Sequence, residues 1–313
     1  MKKNLIFRGA ATALITPMKN GRIDYPALER IIEFQLSGGI EALVVGGTTG
    51  EAATLSDRER YEMYTFVKDK VAGRAKIILG TGTNDTRMVI NHTRRAAAIG
   101  CDATLVVTPY YNKGTYSGVV KHYKKIATLS DTPIILYNVP SRTGVNLTIP
   151  QLEELAKEEA IVAIKEASDS IDRLTELLKF GDDLYLYAGN DSQIFATLTA
   201  GGKGVISVLS NIYPERVNEI CRDSFAGRTD SALKKQLLLL DFIKLLFKET
   251  NPSPIKYAMS VAGLCSSEVR LPLARPERKT QVAIRREIEK LSRNNPSPFY
   301  PRPDPDRSAQ EPF

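Results

Sequence analysis

The stretch IVAIKEAS, residues 161–168, decides the fold prediction because it joins a buried strand to a lysine. Ile161, Val162 and Ile164 form a nearly continuous apolar run, which is typical of a parallel strand covered on both faces. Lys165 follows directly, although an ammonium group is strongly hydrated and is rarely buried without a partner. We therefore expect Lys165 at the end of a buried strand, in a position that packing alone does not explain.

Seven further β-rich runs share this pattern. They are GAATALITP (9–17), EALVVGG (41–47), KIILGTG (76–82), ATLVVTPYY (103–111), PIILYNVP (133–140), LYLYAGN (184–190) and GVISVLS (204–210). Amphipathic helical segments separate them, such as the one in which Leu28, Ile31 and Ile32 share a face. Ser56, with Glu59 three residues later, predicts a capping box at the start of another helix.

Eight strand–helix units of about thirty residues each predict an α/β fold, the (β/α)8 TIM barrel. A doubly wound open sheet is the alternative, but its first strand usually ends in a glycine-rich nucleotide turn. The first run here ends in TPMKNG, which has no such turn.

Three more helical segments, at 229–250, 254–263 and 276–291, follow the eighth unit. They predict a C-terminal helical extension that packs on the barrel. We therefore divide the chain into a catalytic barrel (1–228), a helical extension (229–292) and a Pro-rich tail (293–313). We expect the polar tail to be disordered, and its sequence leaves open whether it is natural or an added segment.

The composition argues against nucleic-acid-binding, membrane-spanning and metal-cluster proteins. The 313 residues are 42% hydrophobic and 25% charged, and their net charge is +7. Basic and acidic residues alternate in RPERKTQVAIRREIEK (275–290), which is typical of a solvated helix face and predicts no nucleic-acid partner. No apolar run approaches the roughly 18 residues that a membrane span needs. Cys101, Cys221 and Cys265 are too scattered for a metal cluster and indicate free thiols in a reducing cytoplasm.

The catalytic centre of such a barrel lies at the carboxyl ends of its strands. Lys165 is at that end, facing either the barrel interior or the helix layer. A lysine kept away from water loses affinity for its proton, and the free amine can attack a ketone to form a Schiff base. The alternative is an ammonium group that reaches bulk water at the rim. Tyr137 ends the preceding strand, where it serves either as a general acid/base or as core packing.

Three other strand ends carry polar or aromatic side chains. Thr48 and Thr49 lie in the turn GGTTGE (46–51), whose amides and hydroxyls can bind a carboxylate, unless it is a plain strand-to-helix turn. Arg142 can bind a carboxylate in a bidentate manner or can be an exposed loop residue. Tyr110 and Tyr111 suggest a lid, a subunit contact or core packing.

The motifs GGTTGE, PYYNKG, YNVPSRTG, AIKEAS and NPSPIKYAM together resemble the dihydrodipicolinate synthase family of pyruvate-dependent Schiff-base lyases and aldolases. They occur in the order of that family over residues 5–291. The resemblance implies that Lys165 condenses with pyruvate and that Tyr137 shuttles protons. It also implies that Thr48 links Tyr137 to Tyr111, which reaches in from a neighbouring subunit.

The same resemblance implies the substrates. Thr49 and nearby amides hold the pyruvate carboxylate, Arg142 receives the carboxylate of aspartate semialdehyde, and Gly189 and Ile206 line the pyruvate pocket. The implied product is 4-hydroxy-tetrahydrodipicolinate, on the route to lysine and diaminopimelate. The family uses no cofactor and no metal, and it is usually a homotetramer in which a dimer is the smallest fully active unit.

Two alternatives remain open at this point. N-acetylneuraminate lyase and the 2-keto-3-deoxy sugar-acid aldolases share the lysine and the tyrosine, but the double threonine, the double tyrosine and the arginine loop favour the synthase. A non-catalytic barrel that binds a keto acid is the alternative from another class.

Lysine-sensitive members of the family bind the end product in a cleft at a dimer interface. The positions of that cleft are here Ala52, Asp57, Arg60 and Met88, near Asn84 and Tyr110. Sensitive enzymes often carry a carboxylate where this chain has Met88, and the thioether cannot replace it. Because Arg60 also repels an ammonium group, we predict weak or absent feedback by lysine.

Overall fold

The structure, a computed structural model, describes residues 3–294. Its centre is a closed barrel of eight parallel strands, which confirms the predicted fold class. The strands β1 to β8 are, in chain order, Gly9–Ala13, Ala42–Val45, Lys76–Gly80, Ala103–Val107, Ile134–Asn138, Ile161–Glu166, Tyr185–Ala188 and Gly204–Ser207. Each strand pairs with the next along the chain, and β8 closes the ring by pairing with β1.

Helices surround the barrel and continue past it. The helices α1 to α12 are Tyr25–Ser37, Asp57–Val71, Thr86–Ile99, Tyr116–Thr128, Pro140–Thr143, Ile149–Leu155, Ile171–Leu178, Ile194–Thr199, Pro214–Phe225, Thr229–Leu246, Ser253–Val261 and Arg278–Asn294. Short 3-10 turns occupy Ala52–Thr54, Gly181–Asp183, Asp191–Gln193 and Leu209–Asn211, and Met18–Lys19 pairs with Arg22–Ile23 in a small hairpin. Within residues 3–294, no helix is long and apolar enough to cross a membrane.

Local sequence explains where the helices begin. The predicted capping box of α2 is present: Glu59 N–H donates to Ser56 Oγ (3.3 Å), and Ser56 N–H donates to Glu59 Oε2 (2.9 Å). In α1, Asp24 Oδ1 accepts the Ala27 N–H at 3.0 Å, and Leu28, Ile31 and Ile32 are buried as the apolar pattern predicts. Such contacts satisfy amides that have no partner within the helix.

The two faces of the sheet bury different sets of side chains. The outer face packs against the helix layer, and the inner face fills the barrel with alanine, branched aliphatic and aromatic side chains. At the amino-terminal end, the rings of Phe7 and Tyr187 stack with their centroids 4.2 Å apart, and the Tyr187 hydroxyl donates to Phe7 O at 2.8 Å. These side chains therefore close the amino-terminal end of the barrel, so a ligand must enter from the carboxyl end.

The three C-terminal helices form the predicted extension. Helix α10 packs against α9, while α12 contacts both α10 and α11. Phe242 in α10 is fully buried, and its ring lies 5.3 Å from that of Tyr213. Helix α12 ends at Asn294, and the rest of the proposed Pro-rich tail, residues 295–313, lies outside the described part of the chain. The boundaries at 228 and 292 stay predictions.

Candidate active site at the carboxyl end of the barrel

Lys165 and Tyr137 lie side by side on the inner face of the sheet. Their Cα atoms are register partners between β6 and β5, and Lys165 is also the register partner of Tyr187 on β7. Both tyrosines belong to the cluster inside the barrel, so Lys165 points inward rather than into the helix layer. Its Nζ lies 4.2 Å from the centroid of the Tyr137 ring, and the two residues are 5% and 7% exposed.

A buried polar network supports this pair from the opposite face. Asn138 follows Tyr137 and Glu166 follows Lys165, and the Asn138 Nδ2 group donates to both Glu166 carboxylate oxygens at 2.9 and 3.0 Å. Arg173 Nε donates to Glu166 Oε2 at 2.9 Å. Since successive residues of a strand point to opposite faces, this network fixes the strand ends without occupying the barrel.

Gly189 and Ile206 lie near the carboxyl ends of β7 and β8, and their place in the pyruvate pocket stays a prediction. Ile206 is fully buried on β8 within the barrel cluster. Gly189 directly follows β7, and its N–H donates to Glu166 O at 2.7 Å. A Cβ atom at position 189 would lie 2.7 Å from Ala167 Cβ, so this close approach requires glycine.

Asp191 is a buried acid of this region that the sequence analysis did not identify. It is 1% exposed, and its Oδ2 accepts the N–H groups of Val208 and Leu209 at 3.0 and 2.9 Å. Burial raises the pKa of Asp191, while hydrogen bonds from Ser207 and these amides and the charge of Lys165 act in the opposite direction. The carboxylate ties the end of β7 to the chain after β8, where no sequence motif marks it.

The carboxylate-binding candidates lie around a residue from the extension. Asn251 Nδ2 donates to Thr49 Oγ1 at 3.0 Å, and Arg142 Nη2 donates to Asn251 O at 3.2 Å. Thr49 is 3% exposed, whereas Arg142 is exposed on the short helix α5. Asn251, a residue of the NPSPIKYAM motif with no role predicted from the sequence, therefore links Thr49 to Arg142.

Two backbone amides of the GGTTGE turn donate hydrogen bonds within the turn itself. The N–H groups of Gly50 and Glu51 each donate within the turn at 3.1 Å, and the acceptor for Glu51 is Thr48 O. Gly46 has a φ of +68°, and a Cβ there would lie 2.2 Å from the Tyr64 hydroxyl oxygen. Thr48 is half-buried. The predicted link from Tyr137 to Tyr111 through the Thr48 hydroxyl stays a prediction.

Tyr111 projects away from its own chain. It is 89% exposed and has a φ of +70°, while Tyr110 is 37% exposed. The Asn112 N–H donates to Tyr110 O at 2.9 Å, and the Asn112 side chain donates to Asn84 O at 3.0 Å. The backbone that presents Tyr111 is therefore hydrogen-bonded, although the ring itself has little packing. The proposed entry of Tyr111 into a neighbouring subunit stays a prediction.

A second buried lysine contrasts with Lys165. Lys256 Nζ lies 2.5 Å from Glu51 Oε1 and also donates to Thr16 O at 2.9 Å, and both charged side chains are fully buried. Burial lowers the pKa of Lys256, and the charge of Glu51 partly opposes that shift. Because its amine is committed to a carboxylate and a carbonyl, Lys256 is not available as a nucleophile.

The cleft positions named above contain an arginine held by backbone carbonyls. Arg60 is 7% exposed, and its guanidinium donates to Ala52 O at 2.9 Å and to Gly80 O at 3.4 Å. Asp57 Oδ1 lies 3.3 Å from His92 Nε2, and Met88 is 39% exposed. The two carbonyl contacts therefore hold the Arg60 guanidinium in place within the cleft.

Candidate metal ligands do not gather anywhere in the described part of the chain. Across residues 3–294, no group of three or more His, Cys, Asp or Glu side chains could hold a metal ion. The three cysteines are free thiols. Burial raises the pKa of Cys101 to about 11 and that of Cys265 to about 12.

Comparison with known proteins adds independent information. The chain matches the model of the dihydrodipicolinate synthetase family over residues 6–291. It is 42% identical to 4-hydroxy-tetrahydrodipicolinate synthase of Alkaliphilus oremlandii over 286 residues, covering 91% of this chain and 99% of the relative. It is 43% identical to the synthase of the same name from Clostridium novyi, covering 93% and 98% of the two chains.

Solved structures agree with these relatives. Dihydrodipicolinate synthase from Thermotoga maritima superposes with a TM-score of 0.90 at 38% identity, covering 92% of this chain and 99% of the other. The enzyme from Cyanidioschyzon merolae, solved with lysine bound, gives a TM-score of 0.89 at 33% identity, covering 92% and 99%. With a matching fold and close relatives that span almost its whole described length, this chain belongs to the dihydrodipicolinate synthetase family.

Proposed function

We propose that this protein condenses pyruvate with L-aspartate-4-semialdehyde to give 4-hydroxy-tetrahydrodipicolinate, a step of lysine and diaminopimelate biosynthesis. The observation that carries the proposal is the inward-facing amine of Lys165, 5% exposed and 4.2 Å from the Tyr137 ring centroid at the open end of the barrel. The names of the closely related synthases support this substrate pair over sialic-acid or sugar-acid aldol chemistry.

The reaction begins at the amine. Nζ of Lys165 attacks C2 of pyruvate, and water leaves to form an imine. The protonated imine withdraws electrons, so a C3 proton leaves and an enamine forms. C3 then bonds to the aldehyde carbon of the second substrate. Finally the amino group of that substrate attacks C2 and releases Lys165 as the ring closes, so one water is lost overall.

The other side chains have separate roles in this scheme. Tyr137 carries protons to and from the reacting atoms, because its phenol adjoins the amine that becomes the imine nitrogen. Thr49 donates to the pyruvate carboxylate, and Arg142 binds the carboxylate of aspartate semialdehyde. Gly189 and Ile206 bound the pyruvate pocket. No cofactor is needed, because the lysine imine itself stabilises the carbanion, and pyruvate is bound covalently as substrate.

Borohydride trapping with pyruvate tests the nucleophile. We expect a mass gain on Lys165 of the wild-type protein, located by peptide mass spectrometry, and none in Lys165→Ala. Tyr137→Phe should keep the fold but lose about 10²- to 10⁴-fold in turnover, the usual contribution of an acid/base group. A folded wild-type protein that binds pyruvate without any adduct would support the non-catalytic barrel instead. Turnover of N-acetylneuraminate or 2-keto-3-deoxygluconate, but not of aspartate semialdehyde, would support the aldolase.

We further propose a cytoplasmic homo-oligomer, a tetramer built from dimers, in which Tyr111 completes the active site of a neighbouring subunit. The 89% exposure of the Tyr111 ring supports a role outside its own chain. Mixing Tyr111→Phe with Lys165→Ala subunits tests this, because a mixed dimer then contains one intact site. About a quarter of the wild-type activity should return in a random mixture, given isologous dimers. No recovery after verified subunit exchange would place Tyr111 in its own chain's site.

A further inference from the structure

Asn251 connects the helical extension to both candidate carboxylate-binding residues. It directly precedes the Pro252–Ser253 entry to α11 and is 5% exposed. Its side-chain Nδ2 contacts Thr49 Oγ1 at 3.0 Å, and its backbone oxygen contacts Arg142 Nη2 at 3.2 Å. A single residue outside the barrel therefore contacts the turn after β2 and the short helix after β5.

The direction of the Thr49 contact matters for binding. A threonine hydroxyl has one O–H donor and two acceptor lone pairs. Because Asn251 donates to one lone pair, the Thr49 proton is left for another acceptor. The carboxylate of a bound keto acid is an acceptor of that kind, and it cannot use a hydroxyl that has already given its proton away.

The side-chain carbonyl oxygen of Asn251 gives no reason for burying this residue. Its Oδ1 is buried and has no hydrogen-bond partner among the described residues 3–294. A buried polar atom without a partner costs folding free energy. A leucine of similar shape would avoid this cost but would lose the Nδ2 bond to Thr49, so the two effects oppose each other and stability gives asparagine little net advantage here.

We propose that Asn251 is a positioning residue that directs the Thr49 hydroxyl towards pyruvate and places Arg142 for the second substrate. This inference rests on the proposed function. The two tasks use different atoms: the side chain acts on Thr49 and the backbone carbonyl acts on Arg142. Side-chain substitutions at position 251 therefore affect the two substrates unequally.

Steady-state kinetics of Asn251→Leu and Asn251→Asp test the proposal. For Asn251→Leu we expect the KM for pyruvate to rise by about 5- to 10-fold, the effect of one hydrogen bond. Asn251→Asp should raise it further, by about 10- to 100-fold, because the new carboxylate accepts the Thr49 proton and repels the substrate anion. For Asn251→Leu, which adds no charge, the KM for aspartate semialdehyde should stay within about twofold, and kcat should change little, as expected when uniform binding is lost.

Phe242→Leu in α10 is the matched control, since it loosens the same extension without contact to the site. It should lower the unfolding temperature and leave both KM values unchanged, whereas Asn251→Leu should keep the wild-type unfolding temperature. In a Thr49→Val background, Asn251→Leu should have little further effect on the pyruvate KM, because the hydroxyl through which Asn251 acts is already gone.

Borohydride trapping of Lys165 at saturating pyruvate separates the two proposals. If the wild-type protein traps pyruvate but Asn251→Asp leaves the pyruvate KM unchanged, only the Asn251 proposal is overturned. For Asn251→Leu, equal increases in both KM values, or full additivity with Thr49→Val, would likewise assign Asn251 a merely structural role. If the wild-type protein traps no pyruvate, both proposals fall together.

Discussion

Replacing Lys256 by methionine should destabilise the protein strongly without touching the proposed nucleophile. Lys256 and Glu51 are fully buried, and Nζ lies 2.5 Å from Oε1. Methionine fills a similar space but removes the charge. The buried Glu51 carboxylate would then lose its cation and would retain hydrogen bonds such as the one from the Arg270 N–H at 2.9 Å. Breaking a buried pair in this way costs about 3–5 kcal/mol of unfolding free energy.

The magnitude follows from two opposing effects. At 2.5 Å and an effective dielectric constant of 20, the attraction between the charges is about 7 kcal/mol. Burial nevertheless lowers the pKa of Lys256, so the loss of hydration outweighs the attraction of Glu51. The intact pair therefore contributes little net stability, although either charge left alone is costly. Glu51→Gln combined with Lys256→Met should return to within about 1 kcal/mol of the wild-type protein.

Urea unfolding at a fixed protein concentration measures these differences. Lys165→Met is the matched control, since the salt bridges recorded among residues 3–294 do not include Lys165. It should change the unfolding free energy far less than Lys256→Met, because Asp191, the buried acid on which the Lys165 charge acts, keeps its hydrogen bonds from the Val208 and Leu209 amides. A Lys256→Met protein as stable as wild type, or a double variant no better than the single one, would refute the reasoning.

Three further predictions concern other charged sites. Arg173→Met leaves the buried Glu166 carboxylate without its cation, so urea unfolding should show a loss of about 3 kcal/mol, with slower trapping of pyruvate. Burial lowers the pKa of His122 to about 4. As pH falls from about 6.5 to 4, the unfolded chain therefore gains a proton that the native state does not, and stability drops by about 3 kcal/mol. His122→Gln should flatten this slope in pH-dependent unfolding, and an unchanged slope would contradict it. Lysine should inhibit weakly or not at all, since Met88 offers no carboxylate and Arg60 keeps its charge in the cleft. Half-inhibition below about 1 mM in a steady-state assay would contradict that expectation.

The ends of the strands were less predictable than their centres. The run at 103–111 reads as one long strand, but β4 stops at Val107 and the chain leaves the sheet before Pro109. Aromatic residues favour strands only when their rings can pack on the pleated surface of a sheet. Beyond the barrel rim no such surface exists, and Tyr111 adopts a positive φ instead.

The local sequence was sufficient for the barrel and for the position of Lys165 along it, because buried parallel strands need continuous apolar runs and helices need caps. It could not decide which way Lys165 faces, since a run buried on both faces has no polar side to mark the exterior. Only the register with Tyr137 and Tyr187 settles that the amine points inward. The contacts of Asn251 with Thr49 and of Lys256 with Glu51 join residues 202 and 205 positions apart. Packing of the C-terminal extension against the barrel creates those contacts, and no local pattern carries them.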